Sequence, residues 1–565
     1  MDFLLIVPPN ITYEAFINPT KNSKTWRHKS SKNYGVLITD VPLGVLTISA
    51  LLKTKFSANV KVIDFNTIIH ETWNHGLEDS FKKWFEETLE NLKNTGFKPE
   101  IIGFSSLFVT GYQNLLILGN VAKKIFNESL LIVGGNVATT MYKEIYQDTN
   151  VFDALCYGEG ENPLIELMQA NNKIEYLEKS NSWITQNNLK LGQIYTHNFI
   201  ENLDDIPYLD YGCIKLNDYH YNPTINAYTS IGDKTKYITY MGSRGCPFLC
   251  TFCSAHTVHG RKMRSFSTDR IDKELSSLVH EYDINTLVIE DDMFLWDNEW
   301  ATRVLKIAQK NNLTCFFPNA LALYALDRKM LEELHSTGVR QITLAVESGS
   351  ARVLKEVMKK PLKLSITSRV VSDCNDLGIY TDCNIILGMP GETMVDIQET
   401  RQFLLSLNAN WYRINVATPL AGSEMYIKAK EKGQIVGDIR FAGYKKCVVQ
   451  TEHFAPGDIE KIAYELNLEM NFLHNTDYRH KNYARALESF ENVLQVREDH
   501  ALAHYMICKC KKSLGLDYKL SQEKLETILE NDPFWSNYFN INGLNNNQNL
   551  DFNNEINSVQ QLGMV

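Results

Sequence analysis

Two series of short apolar segments, each followed by a helical pattern, constrain the fold of this chain more than any other feature. In the first series, five segments are predicted to be strands: Phe3–Val7, Val60–Asp64, Ile101–Ser105, Leu130–Val133 and Asp153–Tyr157. Their continuous apolar character indicates burial on both faces, which is typical of a parallel sheet covered by helices. We therefore predict a doubly wound α/β domain of flavodoxin-like type over residues 1–170.

The second series follows a segment rich in Asn, Asp and Tyr, residues 171–235, which we interpret as a linker. Its predicted strands are Tyr237–Met241, Thr286–Glu290, Cys315–Pro318, Ile342–Val346, Asp382–Leu387 and Tyr412–Val416. Six βα units over residues 236–425 fit a partial (β/α)6 barrel better than a complete barrel of eight. Residues 426–535 are predicted to be helical, and residues 536–565, rich in Asn and Gln, to be disordered.

A weak internal repeat lies in the helical region. The segment Tyr483–Leu494, with the sequence YARALESFENVL, is echoed by Leu525–Leu529, and the pair Asp499-His500 is echoed by Asp532-Pro533. A period of about 34 residues is typical of tetratricopeptide repeats, so we predict one to two repeats of that type. Plain amphipathic helices would produce much of the same pattern.

Composition narrows the class of protein. The chain has 565 residues, of which 44% are hydrophobic and 22% charged, and its net charge is −10. These values fit a globular protein of several domains and argue against a non-specific nucleic-acid binder. No apolar stretch approaches the roughly 18 to 20 residues of a membrane span, and the segment Met1–Pro9 lacks the basic flank of a signal peptide. We expect a cytoplasmic protein that binds neither membrane nor nucleic acid.

Three of the eleven cysteines are clustered. Cys246, Cys250 and Cys253 lie in the sequence RGCPFLCTFC, just after the first strand of the second series, whereas the other eight are scattered and expected to be small buried residues. Thiolates spaced C-x3-C-x2-C can bind three irons of a 4Fe–4S cubane and leave the fourth iron open. From the spacing alone, a structural zinc site completed by His256 or His259 is an alternative.

The cysteine motif resembles the cluster loop of radical S-adenosylmethionine (SAM) enzymes. Further segments match that superfamily in the expected order: His259–Ser265, Glu290–Phe294, Val346–Ser350, Leu387–Thr393 and Ala417–Ser423. Because they match in order, the resemblance favours an iron–sulfur cluster on the three cysteines over zinc. It also implies that SAM is bound by residues at strand ends, namely Asp291, Asp292, Glu347, Ser348, Pro390 and Gly391.

The first domain resembles the cobalamin-binding domain that precedes many radical SAM cores. The matching segments are Val7–Pro9, Pro42–Gly44, Val133–Thr139 and Asp153–Glu161, and the combined resemblance covers residues 1–425. It implies that cobalamin contacts the strand ends, at Ser105, Ser106, Gly134, Gly135, Gly158, Glu159 and Gly160. The D-x-H-x-x-G motif, which supplies a histidine to cobalt in other cobalamin proteins, is absent, and His28, His70 and His75 lack its context. We therefore expect no histidine ligand on cobalt.

Together the resemblances imply an enzyme. A reductant such as flavodoxin or ferredoxin would supply electrons to the cluster, SAM would be cleaved there, and the resulting radical would take hydrogen from an unactivated carbon of an unknown substrate. With cobalamin bound, methylation of that carbon is expected. Cobalamin-dependent rearrangement or oxidative cyclisation is the alternative within the family, and a non-catalytic scaffold stabilised by metal is the alternative from another class. The sequence identifies no catalytic residue beyond the cofactor ligands.

Overall fold

The computed structural model describes residues 1–19, 25–27, 33–73, 80–219 and 235–544. Described residues up to 466 belong to one structural unit and those from 467 onward to a second. His28, His75, the part of the predicted linker from 220 to 234 and the tail from 545 lie outside the described residues. None of the described helices is long and apolar enough to cross a membrane.

The first domain is built on a six-stranded sheet. Its strands are β1 (Asp2–Val7), β4 (Asn59–Asp64), β5 (Ile101–Ser105), β6 (Leu130–Gly134), β7 (Ala154–Cys156) and β8 (Trp183–Ile184), while β2 (Thr25–Arg27) and β3 (Asn33–Gly35) form a separate antiparallel pair. The order is β4-β1-β5-β6-β7-β8, and all neighbours are parallel except β7 and β8. The first five strands have the order of flavodoxin, which confirms the predicted fold class.

Both faces of this sheet are buried, as the apolar runs predict. In β1, Leu4 and Ile6 pack into one hydrophobic cluster, whereas Phe3 and Leu5 pack into another. Since successive side chains of a strand point to opposite faces, the two clusters lie on opposite sides of the sheet. The helices that follow the strands are Tyr13–Ile17, Leu43–Phe56, Phe65–Thr72, Lys82–Asn94, Tyr112–Ile125, Asn136–Thr140, Tyr142–Asp148 and Glu161–Gln169.

The segment 171–219 is more regular than the linker interpretation expects. It contains β8, the helices Lys173–Lys179 and Gln186–Lys190, and the single helical turns Leu203–Asp205, Tyr211–Cys213 and Leu216–Tyr219. Trp183 in β8 is buried, and its indole N–H donates to the carbonyl of Pro163 over 3.2 Å. A strand of two residues is too short to show an alternation of apolar and polar residues, so the sequence pattern does not predict it.

The second series forms the predicted partial barrel. Its strands are β9 (Tyr237–Tyr240), β10 (Ser243–Arg244), β11 (Arg264–Ser265), β12 (Thr286–Ile289), β13 (Thr314–Phe316), β14 (Gln341–Glu347), β15 (Tyr380–Leu387) and β16 (Trp411–Val416). Parallel pairing gives the orders β9-β12-β13 and β14-β15-β16, and a single parallel bridge between Leu321 and Leu344 joins the two groups. β10 and β11 form a short antiparallel pair that encloses the cysteine segment.

Helices follow the barrel strands in alternation. They are His256–His259, Thr268–Tyr282, Asn298–Lys310, Arg328–Ser336, Leu364–Leu377, Met394–Ser406, Glu424–Glu431 and Pro456–Leu468, with the shorter turns Phe294–Trp296, Leu323–Ala325, Val353–Val357 and Ile439–Phe441. Several begin with a capping side chain, as Thr393 does for the helix that follows β15. The sheet therefore closes part of a barrel, and the carboxyl ends of its strands carry the loops with the predicted site residues.

The second unit is helical, as predicted. After the turn Glu469–Leu473 come the helices Thr476–Arg479, Tyr483–Val496, Ala501–Ser513, Lys519–Asn531 and Pro533–Ile541. Both repeated pairs lie at helix starts but are shifted by one residue, because His500, the second residue of its pair, and Asp532, the first of its pair, each cap the following helix. Residues 536–541 are helical, which corrects the predicted start of the disordered tail. Aromatic residues favour this helix, since Trp535 and Phe539 on its inner face are buried.

Candidate cofactor site

The cysteine loop lies between β10 and β11, beyond the carboxyl end of β9. Gly245 begins the loop with φ +100°, a left-handed conformation that favours glycine. The N–H of Cys246 donates to the carbonyl of Gly260 over 3.3 Å, and the N–H of Thr251 donates to the carbonyl of Met358 over 3.0 Å. The loop is therefore held both by its own returning chain and by the segment that follows β14.

The three thiols of this loop are partly exposed and interact electrostatically with one another. Burial raises the pKa of Cys246 and Cys250, and it raises the pKa of Cys253 to about 11. A bound metal centre would instead lower the pKa of these thiols, because a thiol that coordinates a metal is deprotonated outright. In the described ranges no three ligand side chains converge as a single metal ion requires. A 4Fe–4S cluster would place each of the three thiolates on a different iron.

Two of the residues predicted to bind SAM lie near these thiols. Burial is the main cause of the raised pKa of Cys253, and the negative charge of Asp292 raises it further. In the same way, the charge of Glu347 adds to the effect of burial on the pKa of Cys250. Asp292 Oδ2 lies 2.8 Å from His259 Nδ1. Glu347 is buried, has φ +68° and lies at an irregularity in the pairing of β14. This conformation is unusual for a residue other than glycine, and Glu347 Oε1 lies 3.2 Å from Lys360 Nζ.

Asp291 has a different position from Asp292. Its Oδ1 accepts a hydrogen bond from Gly242 N at 2.9 Å, and its Oδ2 accepts one from Ser243 Oγ at 2.5 Å. Burial raises the pKa of Asp291 to about 7. Asp291 thus fixes the junction between β9 and the cysteine loop. Ser348 is also buried, and its hydroxyl lies 3.2 Å from Thr400 Oγ1 on the helix that follows β15.

The remaining predicted SAM residues, Pro390 and Gly391, lie in the turn after β15. Gly391 has φ +91°, and open space surrounds the position where a Cβ would stand. The neighbouring Glu392 is fully buried and accepts hydrogen bonds from Gly388 N at 2.5 Å and Met389 N at 3.1 Å. Burial raises the pKa of Glu392 to about 8. No local sequence pattern distinguishes this acid, which shapes the turn, from the acids near the thiols.

The carboxyl ends of β5 and β6, at Ser105, Ser106 and Gly134, border open space at one end of the first sheet. We call this end of the sheet the open edge. Ser105 pairs with Gly134, and Ser106 N donates to the carbonyl of Gly134 over 3.0 Å. The Ser106 hydroxyl is buried and has no hydrogen-bond partner within the described residues. No atom lies within 4 Å of the place where a Cβ on Gly134 would stand. A buried hydroxyl without a partner beside an open backbone fits a ligand such as cobalamin.

Gly135 lies at the same end of the sheet, but its backbone conformation and the neighbouring Ser106 leave no room for a side chain. Its φ is +94°, and a Cβ there would stand 2.6 Å from the carbonyl oxygen of Ser106. Gly158 is enclosed instead, since a Cβ on it would come within 2.5 Å of the His197 ring. At Gly160 the nearest atom to such a Cβ would be in Ile48, at 3.5 Å. The surroundings of these glycines therefore differ: Gly134 is open, a Cβ on Gly135 or Gly158 would clash with neighbouring residues, and a Cβ on Gly160 would make an ordinary contact.

Glu159, in the segment after β7, connects the first domain to the cysteine loop. Its Oε1 lies 2.6 Å from Arg264 Nη2, and its Oε2 lies 3.2 Å from Arg244 Nη1. Arg244 is also 2.7 Å from Glu161 Oε1. Burial alone would raise the pKa of Glu159, but Arg244 and Arg264 outweigh burial and hold it below its usual value. Because both arginines flank the cysteine loop, this buried network joins the first sheet to that loop.

The fold and site define a class of protein: a flavodoxin-like domain followed by a partial βα barrel with three cysteines in the loop after its first strand. Residues 240–404 match the family model described as the Radical SAM superfamily, and residues 41–168 match the B12 binding domain. The chain therefore belongs to the radical SAM superfamily and carries a B12-binding domain. Its cofactors are accordingly a 4Fe–4S cluster, SAM and cobalamin.

Similar proteins include enzymes with the same combination of domains. The chain is 26% identical over 471 residues to cytidylyl-2-hydroxyethylphosphonate methyltransferase from Streptomyces wedmorensis, covering 76% of this chain and 86% of that protein. Among solved structures, the cobalamin-dependent SAM radical enzyme OxsB has a TM-score of 0.59 at 15% identity, covering 96% of this chain and 79% of its own. TsrM from Kitasatospora setae, a radical SAM methyltransferase, has a TM-score of 0.54 at 14% identity, covering 94% and 99%. These two structures share the fold.

Proposed function

We propose that this protein is a cobalamin-dependent methyltransferase that methylates an unactivated carbon of its substrate. When bound, the cofactors supply the chemistry: SAM at the cluster provides the radical that removes hydrogen, and cobalamin provides the methyl group. Methyl transfer is also the printed activity of the Streptomyces wedmorensis relative. An external reductant is required, for which flavodoxin or ferredoxin is proposed, and the proposed setting is the cytoplasm.

The observation that carries the proposal is the position of the cysteine loop opposite the open edge of the first sheet. Thr257, just beyond the loop, lies within 3.4 Å of Asn136 Oδ1, which follows the open edge directly. Gly422, after β16, approaches Thr140 and Thr257 so closely that a Cβ on it would meet both side chains. A ligand at Gly134 would therefore lie on the same side as the cluster, where a methyl group can reach a carbon activated by the radical.

Each proposed residue has a binding or orienting task. Cys246, Cys250 and Cys253 would hold the cluster, with its fourth iron left for SAM. Asp292 and Glu347 would orient SAM from two sides of the thiols, whereas Asp291, Ser348, Pro390 and Gly391 would shape the surrounding turns. Ser105, Ser106, Gly134 and Gly135 would hold cobalamin. Gly158, Glu159 and Gly160 would position the domain that carries it.

A test of methyl transfer can be made before the substrate is known. In protein loaded anaerobically with cluster and reduced cobalamin, the methyl group of SAM should pass to cobalt, leaving S-adenosylhomocysteine. We expect S-adenosylhomocysteine and methylated cobalamin in equal amounts, measured by chromatography and mass spectrometry, and neither product in protein without cobalamin.

Two results would contradict the proposal. Folded, cluster-loaded protein that binds no cobalamin would remove the methyl donor. Protein that binds cobalamin but never forms S-adenosylhomocysteine would favour rearrangement or cyclisation, in which the product gains no methyl group.

A further inference from the structure

Residues 195–200, which we call the strap, contact both the first domain and the chain that returns from the cysteine loop. On the first-domain side, Asn162 Nδ2 donates to the carbonyl of Phe199 over 2.9 Å. On the other side, Arg264 Nη1 donates to the carbonyl of Ile200 over 2.9 Å, and the Arg264 guanidinium lies 4.3 Å from the centre of the Phe199 ring. Since Arg264 lies in β11, just after the cysteine loop, the strap joins that loop to the first domain.

His197 of the strap bonds to the helix His256–His259, because its Nε2 lies 2.8 Å from the carbonyl oxygen of Thr257. A carbonyl oxygen only accepts, so Nε2 carries the hydrogen and donates. The N–H of Thr257 in turn donates to the carbonyl of Ser254, the residue directly after Cys253, over 2.9 Å. The bond from His197 therefore fixes the backbone just beyond the last cluster cysteine.

The ring of His197 is oriented by its neighbours. Its centre lies 4.9 Å from the ring centre of Tyr157 and 4.9 Å from that of Phe199, on which it stacks at 21°. The ring also lies against the backbone of Gly158, where a Cβ would come within 2.5 Å of His197 Cδ2. Because Gly158 has φ +83°, both its conformation and the close ring favour a residue without a side chain here. The imidazole is thus held in place on the first domain.

Gly158 connects His197 to the open edge. Its N–H donates to Thr139 Oγ1 over 3.0 Å, and Thr139 Oγ1 donates to the carbonyl of Gly135 over 3.1 Å. Gly135 directly follows Gly134, the last residue of β6, where a Cβ would meet no atom within 4 Å. Hydrogen bonds and close contacts therefore run without a break from the proposed cobalamin position to the helix after the cluster cysteines.

We propose that His197 is a positioning residue through which cobalamin bound at the open edge steadies the cysteine loop. Cobalamin there would restrict the turn in which Thr139 bonds to Gly135 and Gly158. Because His197 packs on this turn, it would then hold the Thr257 carbonyl more firmly. Coupling between two sites is reciprocal, so an ordered cysteine loop would also strengthen cobalamin binding. The inference concerns the two cofactor sites and does not depend on methyl transfer.

Hydrogen exchange followed by mass spectrometry measures this effect in the cluster-loaded full chain, with and without hydroxocobalamin. In the wild type, peptides covering residues 253–260 should exchange more slowly when hydroxocobalamin is bound. His197→Phe keeps a flat ring but removes the donor, so the protection gained from hydroxocobalamin should fall about fivefold, as loss of one hydrogen bond does. His197→Gln, which supplies an amide donor on a side chain of similar length, should retain most of that protection.

Tyr195→Phe is the matched control. Tyr195 lies in the same strap, but its hydroxyl donates to Asn188 Oδ1 over 2.8 Å, so this bond stays within residues 171–219. The control variant also loses one hydrogen bond, yet its response to hydroxocobalamin should equal that of the wild type. If His197→Phe does not load a cluster, His197→Asn carries the same test, because its shorter side chain does not reach Thr257.

Three results would overturn the inference. A wild type whose loop exchange does not respond to hydroxocobalamin would show that the two sites are not coupled. An equal response in the wild type and the variant without the donor would leave His197 a merely structural role. An equal loss in His197→Phe and Tyr195→Phe would assign the effect to the strap as a whole. Exchange requires neither SAM nor turnover, so protein that fails to methylate cobalamin can still show the coupling, and the proposed function is tested separately.

Discussion

Replacing Glu159 by Gln tests whether the buried ion pairs position the cysteine loop. The side chains of Glu159 and Arg264 are only 3% and 2% exposed, and that of Arg244 is 11% exposed. Gln keeps the shape of the side chain and one acceptor oxygen but removes the charge. Arg244 would keep Glu161 at 2.7 Å, whereas Arg264 would lose its charged partner. The variant therefore leaves the buried Arg264 without a charged partner, with only neutral acceptors such as the carbonyls of Ile200 and His259.

The expected cost follows from this geometry. Removing one partner of a buried ion pair costs about 3 to 5 kcal/mol, and the remaining Glu161 favours the lower end, about 3 kcal/mol. Since about 1.4 kcal/mol is a factor of ten, contact between the first domain and the loop should open on the order of 100 times more often. The amide of Cys246, which donates to the carbonyl of Gly260, lies in the segment that would be released.

Hydrogen exchange followed by mass spectrometry measures this opening. Peptides covering the cysteine loop should exchange much faster in Glu159→Gln than in the wild type. Glu166→Gln is the matched control, because Glu166 lies on the following helix, is exposed, and bonds to the Tyr176 hydroxyl at 2.6 Å. Equal exchange in both variants would show that the ion pairs do not hold the loop.

The same ion pairs predict a dependence on pH. Because Arg244 and Arg264 hold the pKa of Glu159 below its usual value, the carboxylate stabilises the folded state above the unfolded-state pKa, about 4.5. That contribution should be lost as the pH falls through the lower folded-state pKa. Loop exchange, corrected for its intrinsic pH dependence, should therefore rise in acid for the wild type and change less for Glu159→Gln.

Three further variants test the cofactor residues. Replacing Cys246, Cys250 and Cys253 together by Ala should remove about four irons and four sulfides, and a retained cluster would place the site elsewhere. Gly134→Val should weaken cobalamin uptake without strain, because its Cβ meets only open space; unchanged uptake would refute this position. Glu347→Ala should slow the formation of 5′-deoxyadenosine while the cluster stays intact. An unchanged rate would show that Glu347 only forms an ion pair with Lys360, 3.2 Å away, and does not act on SAM.

Much of the fold was predictable because buried parallel strands leave continuous apolar runs. Predicted and observed strands differ by one or two residues at their ends, as for Asp153–Tyr157 against Ala154–Cys156. The antiparallel β8 was missed because two residues carry no periodicity. The helix Pro533–Ile541 was partly missed because the Asn-rich sequence beyond it indicates disorder, although Trp535 and Phe539 supply a buried face.

The acidic residues at strand ends show which features of the site cannot be predicted from the sequence. Asp291 and Asp292 are adjacent in the sequence, yet one accepts bonds from Gly242 and Ser243 while the other lies beside His259. A motif indicates that an acid is needed near a strand end, but the direction of its side chain depends on donors brought there by the tertiary fold.

The positions of the strand-end residues also bear on how cobalamin is held. Glu159 uses its carboxylate on Arg244 and Arg264, so charge from this acid is unavailable to the corrin. What the open edge offers is a backbone without side chain at Gly134 and the buried hydroxyl of Ser106. Recognition by backbone and hydroxyl groups requires no histidine on cobalt. Electron paramagnetic resonance of the cob(II)alamin form should therefore lack splitting from an axial nitrogen, and a nitrogen triplet would show that this account omits a ligand.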